Sequence, residues 1–460
     1  MGGNGGHIAT SYSTSSVSGN WGVGGLVGKN EGSIISGYST GAVSGNGWGV
    51  GGLVGIIHGY DGRITRSYST GPVSGIIDYG VGGLVGSYTT EGYPGLPPRR
   101  LEQEVVFDCF WDIETSGQLT SEGGEGKSTA EMQDGNTFIS AGWDFVGEAA
   151  NGTEDIWKIA EGLSYPRLSW EKYSGGTGEP NDPYQIATAA DLIALGETPD
   201  DYDKHFILTA DIDLDPNLPG RKVFDQAVIA PPTLTPTAFT GVFDGNAHTI
   251  SHLTISGSSY LGLFGKLGWW AEPEGEVRDL GVVDVNITCS NYYVGGLVGL
   301  NWGVLTQCYS TGSVTGNSSV GGLVGSNCAS IATSWSTSTV GGETSVGGLV
   351  GGNWEEGNVT QCYSTGAVSG SGDIGGLVGL NHIYELKQGV VTDCFWDTQT
   401  SGQATSAGGT GKTTAEMQTA STFLEAGWDF VGETTNGTED LWWILEGKDY
   451  PRLWWETHGN

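Results

Sequence analysis

The sequence predicts an all-β fold, a right-handed parallel β-solenoid (β-helix) with coils of 26–31 residues. The prediction rests on two periodic signals, because a fixed repeat of this length is typical of stacked architectures. The hexapeptide V/I-G-G-L-V-G occurs seven times, starting at Val23, Val50, Val81, Val294, Val320, Val346 and Ile374. Between copies an aromatic residue precedes Ser-Thr, at Tyr12, Tyr38, Tyr68, Tyr309, Trp335 and Tyr363, and Phe110 and Phe395 hold the same slot in the variant CFWD.

Each coil is expected to hold three short strands, since β-rich segments alternate with Gly and Asn in the pattern of strands bounded by turns. One coil is too short to enclose a core, so the core must form by stacking of neighbouring coils. Stacking places equivalent strands in parallel about 4.8 Å apart. Parallel strands joined by crossovers are right-handed in nearly all cases, which gives the expected hand.

Equivalent side chains of stacked coils should form columns. The residue before the aromatic is always small and is predicted to point inward, with the aromatic outward and the next Ser inward by the period of two. The following Thr is expected on the outer surface, and the coil corners are expected to use glycine at positive φ. The small column consists of Ser11, Gly37, Ser67, Cys109, Cys308, Ser334, Cys362 and Cys394.

A longer repeat defines the domains, because residues 109–171 recur at 394–456 without a gap. Residues 1–172 are predicted to be a partial solenoid module without an N-terminal cap. Residues 173–288 are predicted to hold the cap and first coils of a second module. They include one short capping helix over 189–196, with Thr188 as N-cap, Asp191 three residues on and Gly196 as its end. Residues 289–460 complete the array, and their Trp-rich segment 441–456 is expected to cover the open core as a capping strand.

Composition excludes several classes of function. Lys and Arg total 18 against 52 acidic residues, a formal charge of -34, so a nucleic-acid partner is not expected. The chain has no run of about 18 apolar residues that would span a membrane, and no signal peptide is visible. An extracellular or cell-surface location is expected, with any leader absent from this chain. Six cysteines do not form a dense disulfide framework in so long a chain.

The repeated VGGLVG with its companion CYSTGxVSG resembles the GLUG motif. That motif is found in large bacterial surface and adhesin-like proteins, including non-catalytic regions of some IgA-specific peptidases. The resemblance implies a β-solenoid and a place at the cell surface. It implies no catalytic residue and no cofactor, because the family is defined by its repeat.

No catalytic or cofactor-binding residue is predicted. The segments 123–128 and 408–413, GGEGKS and GGTGKT, have Ser121 and Ser406 where a phosphate loop requires Gly, so they are interpreted as Gly-rich loops. The seven histidines form no HExxH pair, and no GxSxG elbow marks a nucleophile.

The metal-binding state is left open. Asp211, Asp213 and Asp215 alternate with apolar residues, which favours a strand with an acidic face over a calcium loop, although loosely bound calcium remains an alternative. Asp244 and Asn246 are expected to form a turn. Cys362 and Cys394, if on adjacent coils, would have Cα atoms within the roughly 4.4–6.8 Å that a disulfide needs. Free buried thiols are the other interpretation.

The expected function follows from the coil ends. The first coil, on the Met1 side, would expose strand edges that recruit a partner strand. The leading hypothesis is therefore an extracellular structural protein, a subunit of a head-to-tail filament or surface stalk that self-associates end to end. The alternative is an adhesin segment of a larger cell-surface protein that binds glycan or protein. The third hypothesis is a polysaccharide-active β-helix enzyme.

Overall fold

The structure is a computed structural model that describes residues 2–59, 61–76, 80–89, 105–159, 162, 164–218, 221–232, 237–270, 275–354, 356–384 and 387–458. It is mostly β, with 43% strand and 8% helix, and forms a parallel β-solenoid of about 13 turns. The predicted fold class is confirmed. The chain divides into two compact units, Met1–Lys172 and Tyr173–Asn460.

The first unit arranges its strands in parallel sheets that follow the sides of the coil. The GLVG side contains Gly3–Asn4, Val27–Asn30, Val54–His58 and Val85–Thr89. The aromatic side contains His7–Ser13, Ser33–Ser39, Arg63–Thr65, Tyr68–Ser69, Val106–Phe107, Phe110–Asp112 and Glu125–Lys127. The remaining edges contain Val17–Gly19, Val43–Gly45 and Val73–Ser74, and Val23–Gly24, Val50–Gly51 and Val81–Gly82.

The second unit repeats this plan with more coils. Its GLVG side contains Phe264–Leu267, Val298–Asn301, Val324–Asn327, Val350–Asn353 and Val378–Asn381, beside Tyr292–Val294, Ser318–Gly321, Thr344–Gly347 and Gly372–Gly375. The long sheet contains Tyr184–Ile186, His205–Leu208, Ile212–Asp213, Val242–Ser251, Thr254–Gly257, Glu276–Cys289, Val304–Thr306, Tyr309–Thr315, Ser330–Ala332, Trp335–Ser336, Thr339–Gly341, Asn358–Thr360, Tyr363–Ser364, Val368–Ser369, Val390–Thr392, Phe395–Asp397 and Thr410–Lys412. A short antiparallel pair joins Ile383–Tyr384 to Lys387–Gln388.

Successive coils pair residue for residue. Val294 lies opposite Val320, which lies opposite Val346. The leucine of each hexapeptide in the second unit is fully buried, as at Leu323 and Leu349. The core of the second unit is therefore one continuous stack, in which each coil buries its apolar residues against the next.

The capping helix of the second unit is confirmed. It runs from Ala189 to Gly196, with the Thr188 side chain and Asp191 forming a capping box. Leu192 and Leu195 of the helix are fully buried in the same core as Phe206. The helix covers the first coil of this unit, and the 3-10 turn Pro199–Asp201 follows it.

An asparagine ladder runs inside the GLVG side. The Asn301 Nδ2 donates to Asn327 Oδ1 at 2.8 Å, and Asn327 in turn donates to Asn353 Oδ1 at 2.8 Å. Asn353 continues the ladder to Asn381 at 3.2 Å. The first three side chains are fully buried, so each must be satisfied by its neighbours. The ladder asparagines occupy the last position of the recurring pattern GLVGxN, which is the sequence signal for this column.

The Ser and Cys side chains of the small column form hydrogen bonds from coil to coil. The Ser334 hydroxyl donates to Ala332 O at 2.7 Å and accepts from the Cys308 N–H at 3.1 Å. The Cys394 thiol donates to Thr392 O at 3.0 Å and accepts from the Cys362 N–H at 3.3 Å. Ser and Cys interchange here because each both donates and accepts a hydrogen bond. Both thiols of the Cys362–Cys394 pair are free and buried.

The glycine corner predicted from the sequence is only partly observed. The residue before each hexapeptide is glycine at positive φ in the first unit, as at Gly22 and Gly49, whereas Tyr293, Ser319 and Ser345 hold the same left-handed position in the second. Glycine is required elsewhere for close approach of the backbone. A Cβ on Gly321 would lie 2.0 Å from Val324 O.

The aromatic residues leave the coil interior as predicted, but they are not exposed. Their rings stack along the solenoid, with centroids 5.0 Å apart for Tyr38 and Tyr68 and 4.4 Å apart for Tyr309 and Trp335. Residues 113–172 and 398–458, here called the lids, cover these two columns. The lid tryptophans Trp157 and Trp442 are fully buried against them.

Two sequence predictions about this surface are therefore wrong. The Trp-rich segment does not close an open core end, because its strands Trp442–Trp443 and Arg452–Leu453 form an antiparallel pair packed on the aromatic column. The corresponding pair in the first unit is Trp157–Lys158 with Arg167–Leu168. The Thr column is not wholly on the outer surface, since Thr70 and Thr365 are buried.

The lids also contain short helices that the sequence reading missed. They are Ile113–Ser116, Thr129–Met132 and Gly135–Ile139 in the first unit, and Thr414–Met417, Ala420–Leu424 and Trp455–His458 in the second. Ser128 with Glu131 and Thr413 with Glu416 form capping boxes. The pattern S/T-x-x-E was present as a signal for these helix starts.

A buried carboxyl group in each lid holds the aromatic column. Glu456 Oε1 accepts from Trp335 Nε1 at 3.0 Å and from Leu453 N–H at 2.7 Å. Glu171 accepts from the Tyr38 hydroxyl at 2.6 Å in the first unit. Burial raises the pKa of Glu456 to about 7, although the guanidinium of Arg452 lies 3.5 Å away and opposes this shift.

The asparagine ladder is testable by replacing Asn327 with Leu. The change leaves Asn353 Oδ1 without its donor and removes the acceptor of Asn301. We expect a loss of about 2–4 kcal/mol in the free energy of unfolding, because buried polar groups would lose their partners. Urea denaturation measures it. The same change at exposed Asn317 should stay within about 0.5 kcal/mol, and equal effects at the two sites would contradict the ladder.

The buried carboxyl group predicts a pH dependence of stability. Since the pKa of Glu456 is about 7 in the native state against 4.5 ordinarily, the native state binds more protons between these values. Stability should therefore fall as pH rises through this window, by up to about 3 kcal/mol. Glu456→Gln keeps an oxygen acceptor but does not ionise.

Urea denaturation of both proteins at pH 4.5 and pH 7, the two pKa values above, tests this prediction. The stability difference between the two pH values should be smaller for the variant than for the parent chain. The exposed Glu416, changed to Gln, serves as the control and should leave that difference in place across this window. An unchanged difference in Glu456→Gln would show that the carboxyl group does not titrate there.

Candidate functional site

The two Gly-Lys segments close the last coil of each unit. Their strands Glu125–Lys127 and Thr410–Lys412 pair in parallel with the CFWD strands. The Lys127 and Lys412 ammonium groups each lie 5.7 Å from the ring centroid of the aromatic in that motif. Ser121 Oγ accepts from the Val85 N–H at 2.9 Å. These segments are therefore part of the last coil, and each contains a short strand where the sequence predicted only a Gly-rich loop.

The alternating aspartates lie at a strand, Ile212–Asp213. Asp211 accepts from the Thr249 N–H at 2.8 Å, and Asp213 lies 2.8 Å from His252 Nδ1. This hydrogen bond raises the pKa of His252. Within the described part of the chain, no group of three or more His, Cys, Asp or Glu side chains is arranged to hold a metal ion.

Asp244 and Asn246 do not form the isolated turn expected from the sequence. Both lie within the strand Val242–Ser251, at a register shift against Glu276–Cys289. Asn246 adopts a left-handed φ of 49°, and its N–H donates to Asp244 Oδ1 at 2.8 Å. The Asp-Gly-Asn sequence thus makes a bulge, because the strand continues on both sides of it.

This bulge brings together a carboxylate cluster that the sequence did not indicate. Arg278 contacts Asp244 at 2.7 Å and Glu276 at 2.8 Å. Burial, reinforced by the charge of Asp244, raises the pKa of Asp279 to about 6. The guanidinium also lies 3.8 Å from Asp279 and opposes this shift. The arrangement is that of a surface ion cluster in which one carboxyl group has a raised pKa.

An exposed group of aromatic side chains lies near the start of the second array, here called the aromatic patch. Trp270 is 75% exposed and Tyr292 is 45% exposed. Lys266 Nζ lies 5.2 Å from the ring centroid of Tyr260 and 5.3 Å from that of Trp269. The patch consists of the contacting side chains of Tyr260, Lys266, Trp269, Tyr292 and Tyr293, together with Trp270, which follows Trp269 in the sequence. The clustered aromatics of YLGLFGKLGWW and NYYVGG are the sequence signal for it.

Comparison with known proteins places these features in context. Residues 290–315 and 342–369 match the family described as the GLUG motif. Halomucin of Haloquadratum walsbyi is 30% identical over 217 residues, which cover 45% of this chain and 2% of halomucin. A provisionally named Gly-rich membrane protein of Evansella cellulosilytica is 35% identical over 96 residues, 21% of this chain and 10% of that protein. The chain spans a small part of the length of both relatives.

Among the described residues, none of the helices combines the length and apolar character needed to cross a bilayer. A crystal structure of a provisionally named immunoglobulin A1 protease from Bacteroides ovatus is similar to the chain at 18% identity and a TM-score of 0.42. The similarity covers 62% of this chain and 95% of that one. The matched motifs and the stacked coils identify the chain as a parallel β-solenoid that carries the GLUG motif.

Proposed function

We propose that the chain is a non-catalytic structural segment of an extracellular cell-surface protein and acts as a stalk. The observation that carries this proposal is the residue-for-residue pairing of successive coils. Val324 lies opposite Val350, which lies opposite Val378, and buried ladders accompany the pairing. A stack held by backbone pairing, a continuous core and buried polar columns resists bending within each unit, because close-packed interiors deform little.

The relatives support the surface location. One is named halomucin and the other a Gly-rich membrane protein, and both are far longer than the matched segment. A segment that matches part of such long polypeptides suits a spacer. The acidic composition, with a formal charge of -34, favours solubility and discourages non-specific association.

End-to-end assembly is the finer part of the proposal. The first coil of the second unit is covered by the helix Ala189–Gly196, so this end does not support the proposed contact. The first coil of the other unit supports it better, because the strand His7–Ser13 pairs with Ser33–Ser39 and lines an open groove with Leu26. A strand of a second copy would fit this edge.

The surface location is tested on intact cells of the source organism. Antibodies against the chain should label the cells without permeabilisation, and external protease should remove the label. An antibody against a cytoplasmic enzyme serves as the control for cell integrity. Labelling that requires permeabilisation would contradict the proposal.

End-to-end assembly is tested by sedimentation velocity of the full chain over a range of concentrations. The weight-average sedimentation coefficient should rise with concentration. Ile8→Asp places a charge at the groove and should abolish the rise, whereas Ser18→Asp, at an exposed position of the same coil, should not. A single sedimenting species at all concentrations would contradict assembly into a filament, but it would not contradict a role as a stalk.

The enzyme hypothesis can be tested at the carboxyl group of Asp279, whose pKa burial raises within a surface cluster of carboxylates. Incubation of the full chain with acidic polysaccharide should release no new reducing or unsaturated ends. Release that is lost in Asp279→Asn would replace the structural proposal with a catalytic one. The exposed Asp284, changed to Asn, provides the control for an effect of charge alone.

A further inference from the structure

The aromatic patch contains two aromatic residues in a backbone conformation that such residues rarely adopt. Tyr260 has a φ of 54° and Tyr293 a φ of 61°. Leu261 pairs with Val294 in a parallel β-bridge, and each tyrosine directly precedes one of these two residues. Bulky residues at positive φ are genuine outliers, and strain of this kind collects where a side chain is needed for function.

The same corner shows that the strain is not required by the fold. Glycine occupies it at Gly22, Gly49 and Gly80 in the first unit, and Ser319, Ser345 and Asp373 occupy it in later coils of the second. The solenoid therefore accepts a strain-free residue at this corner. The two tyrosines instead bring their rings together, with centroids 5.1 Å apart, and Tyr292 joins them at 5.6 Å from Tyr260.

Among the described residues, the cation of the patch has no ion-pair partner. No carboxylate of the described residues lies within 4.0 Å of Lys266 Nζ, the distance that defines an ion pair here. Lys29 holds the same coil position in the first unit, because it follows Val27 by two residues just as Lys266 follows Phe264. Its Nζ lies 2.7 Å from the carboxylate of Glu31. Burial lowers the pKa of Lys266, so its ammonium group is partly desolvated, and no carboxylate in the described part of the chain compensates for this.

The patch thus combines partly exposed aromatic rings with a cation that has no carboxylate partner among the residues the structure describes. Aromatic rings present flat apolar surfaces with polar edges, and a saccharide ring offers a matching apolar face bordered by hydroxyls. A lysine amid such rings would pair with an anionic group on the ligand. We propose that the aromatic patch binds a saccharide that carries a carboxylate, with Lys266 at the carboxylate and Trp270 and Tyr292 against the sugar rings.

The net negative charge of the chain does not prevent such binding. At about 0.15 M ionic strength the Debye length is about 8 Å, so exposed charges farther away are largely screened. The ammonium group of Lys266 then determines the local preference for an anion. This inference is independent of the stalk proposal, since a spacer could stand with or without a ligand.

The test measures binding of the full chain at physiological ionic strength by calorimetry. The probes are oligomers of galacturonate, of alginate and of hyaluronan, and a methyl-esterified galacturonate oligomer is the uncharged counterpart. We expect binding to at least one carboxylated probe and at least tenfold weaker binding to the ester. Absence of binding to all three, or equal binding to ester and acid, would overturn the proposal.

Variants assign the binding to the patch. Lys266→Met and Trp270→Ala should each weaken binding of the carboxylated probe at least tenfold, whereas Lys29→Met and Trp21→Ala in the first unit should leave it unchanged. Tyr293→Gly should weaken binding while the thermal midpoint stays level or rises, because glycine relieves the strain. Equal affinities for all five variants and the parent chain would place the binding elsewhere and refute the assignment.

Discussion

The constraint on which the structure depends is that neighbouring coils satisfy most of one another's buried polar groups. Most inward hydroxyl, thiol and amide groups are paired along a column, and the buried hydroxyl groups of Ser36 and Ser39 are exceptions. Asn327 illustrates this, since its amide donates to the next coil and its oxygen accepts from the previous one. Residue choice in one coil therefore limits the choice in the coils on either side.

This constraint explains why much of the fold could be predicted. The parallel stack, the coil length, the inward serines and the helix after Thr188 all follow from residues that repeat or from local capping chemistry. The lids could not be derived in the same way. Their packing on the aromatic column depends on Trp157 and Trp442 meeting residues distant in sequence, and no periodic signal encodes that contact.

The candidate sites, in contrast to the fold, could hardly be predicted from the sequence. Patterns that resemble known motifs, such as the Gly-Lys segments and the alternating aspartates, proved to be parts of the coil. The carboxylates around Arg278 and the patch around Lys266 come from residues brought together by a bulge and by neighbouring corners. Sequence motifs are recognised from residues at short spacings, whereas the residues of these two groups lie roughly one coil apart in the sequence.

The ladder interruption in the first unit has a consequence for how such chains change in length. Ile57 lies opposite Asn30, and the Asn30 amide keeps its bonds to the carbonyl groups of Gly32 and Arg63. Asn327 makes a bond of the same kind to Ala329 O within the unbroken ladder. The backbone acceptors that accompany the ladder thus keep its last amide group hydrogen-bonded where the ladder stops. Whole coils can accordingly be gained or lost by genetic duplication or excision at such a stop, since the newly joined faces still match and no interface has to be invented.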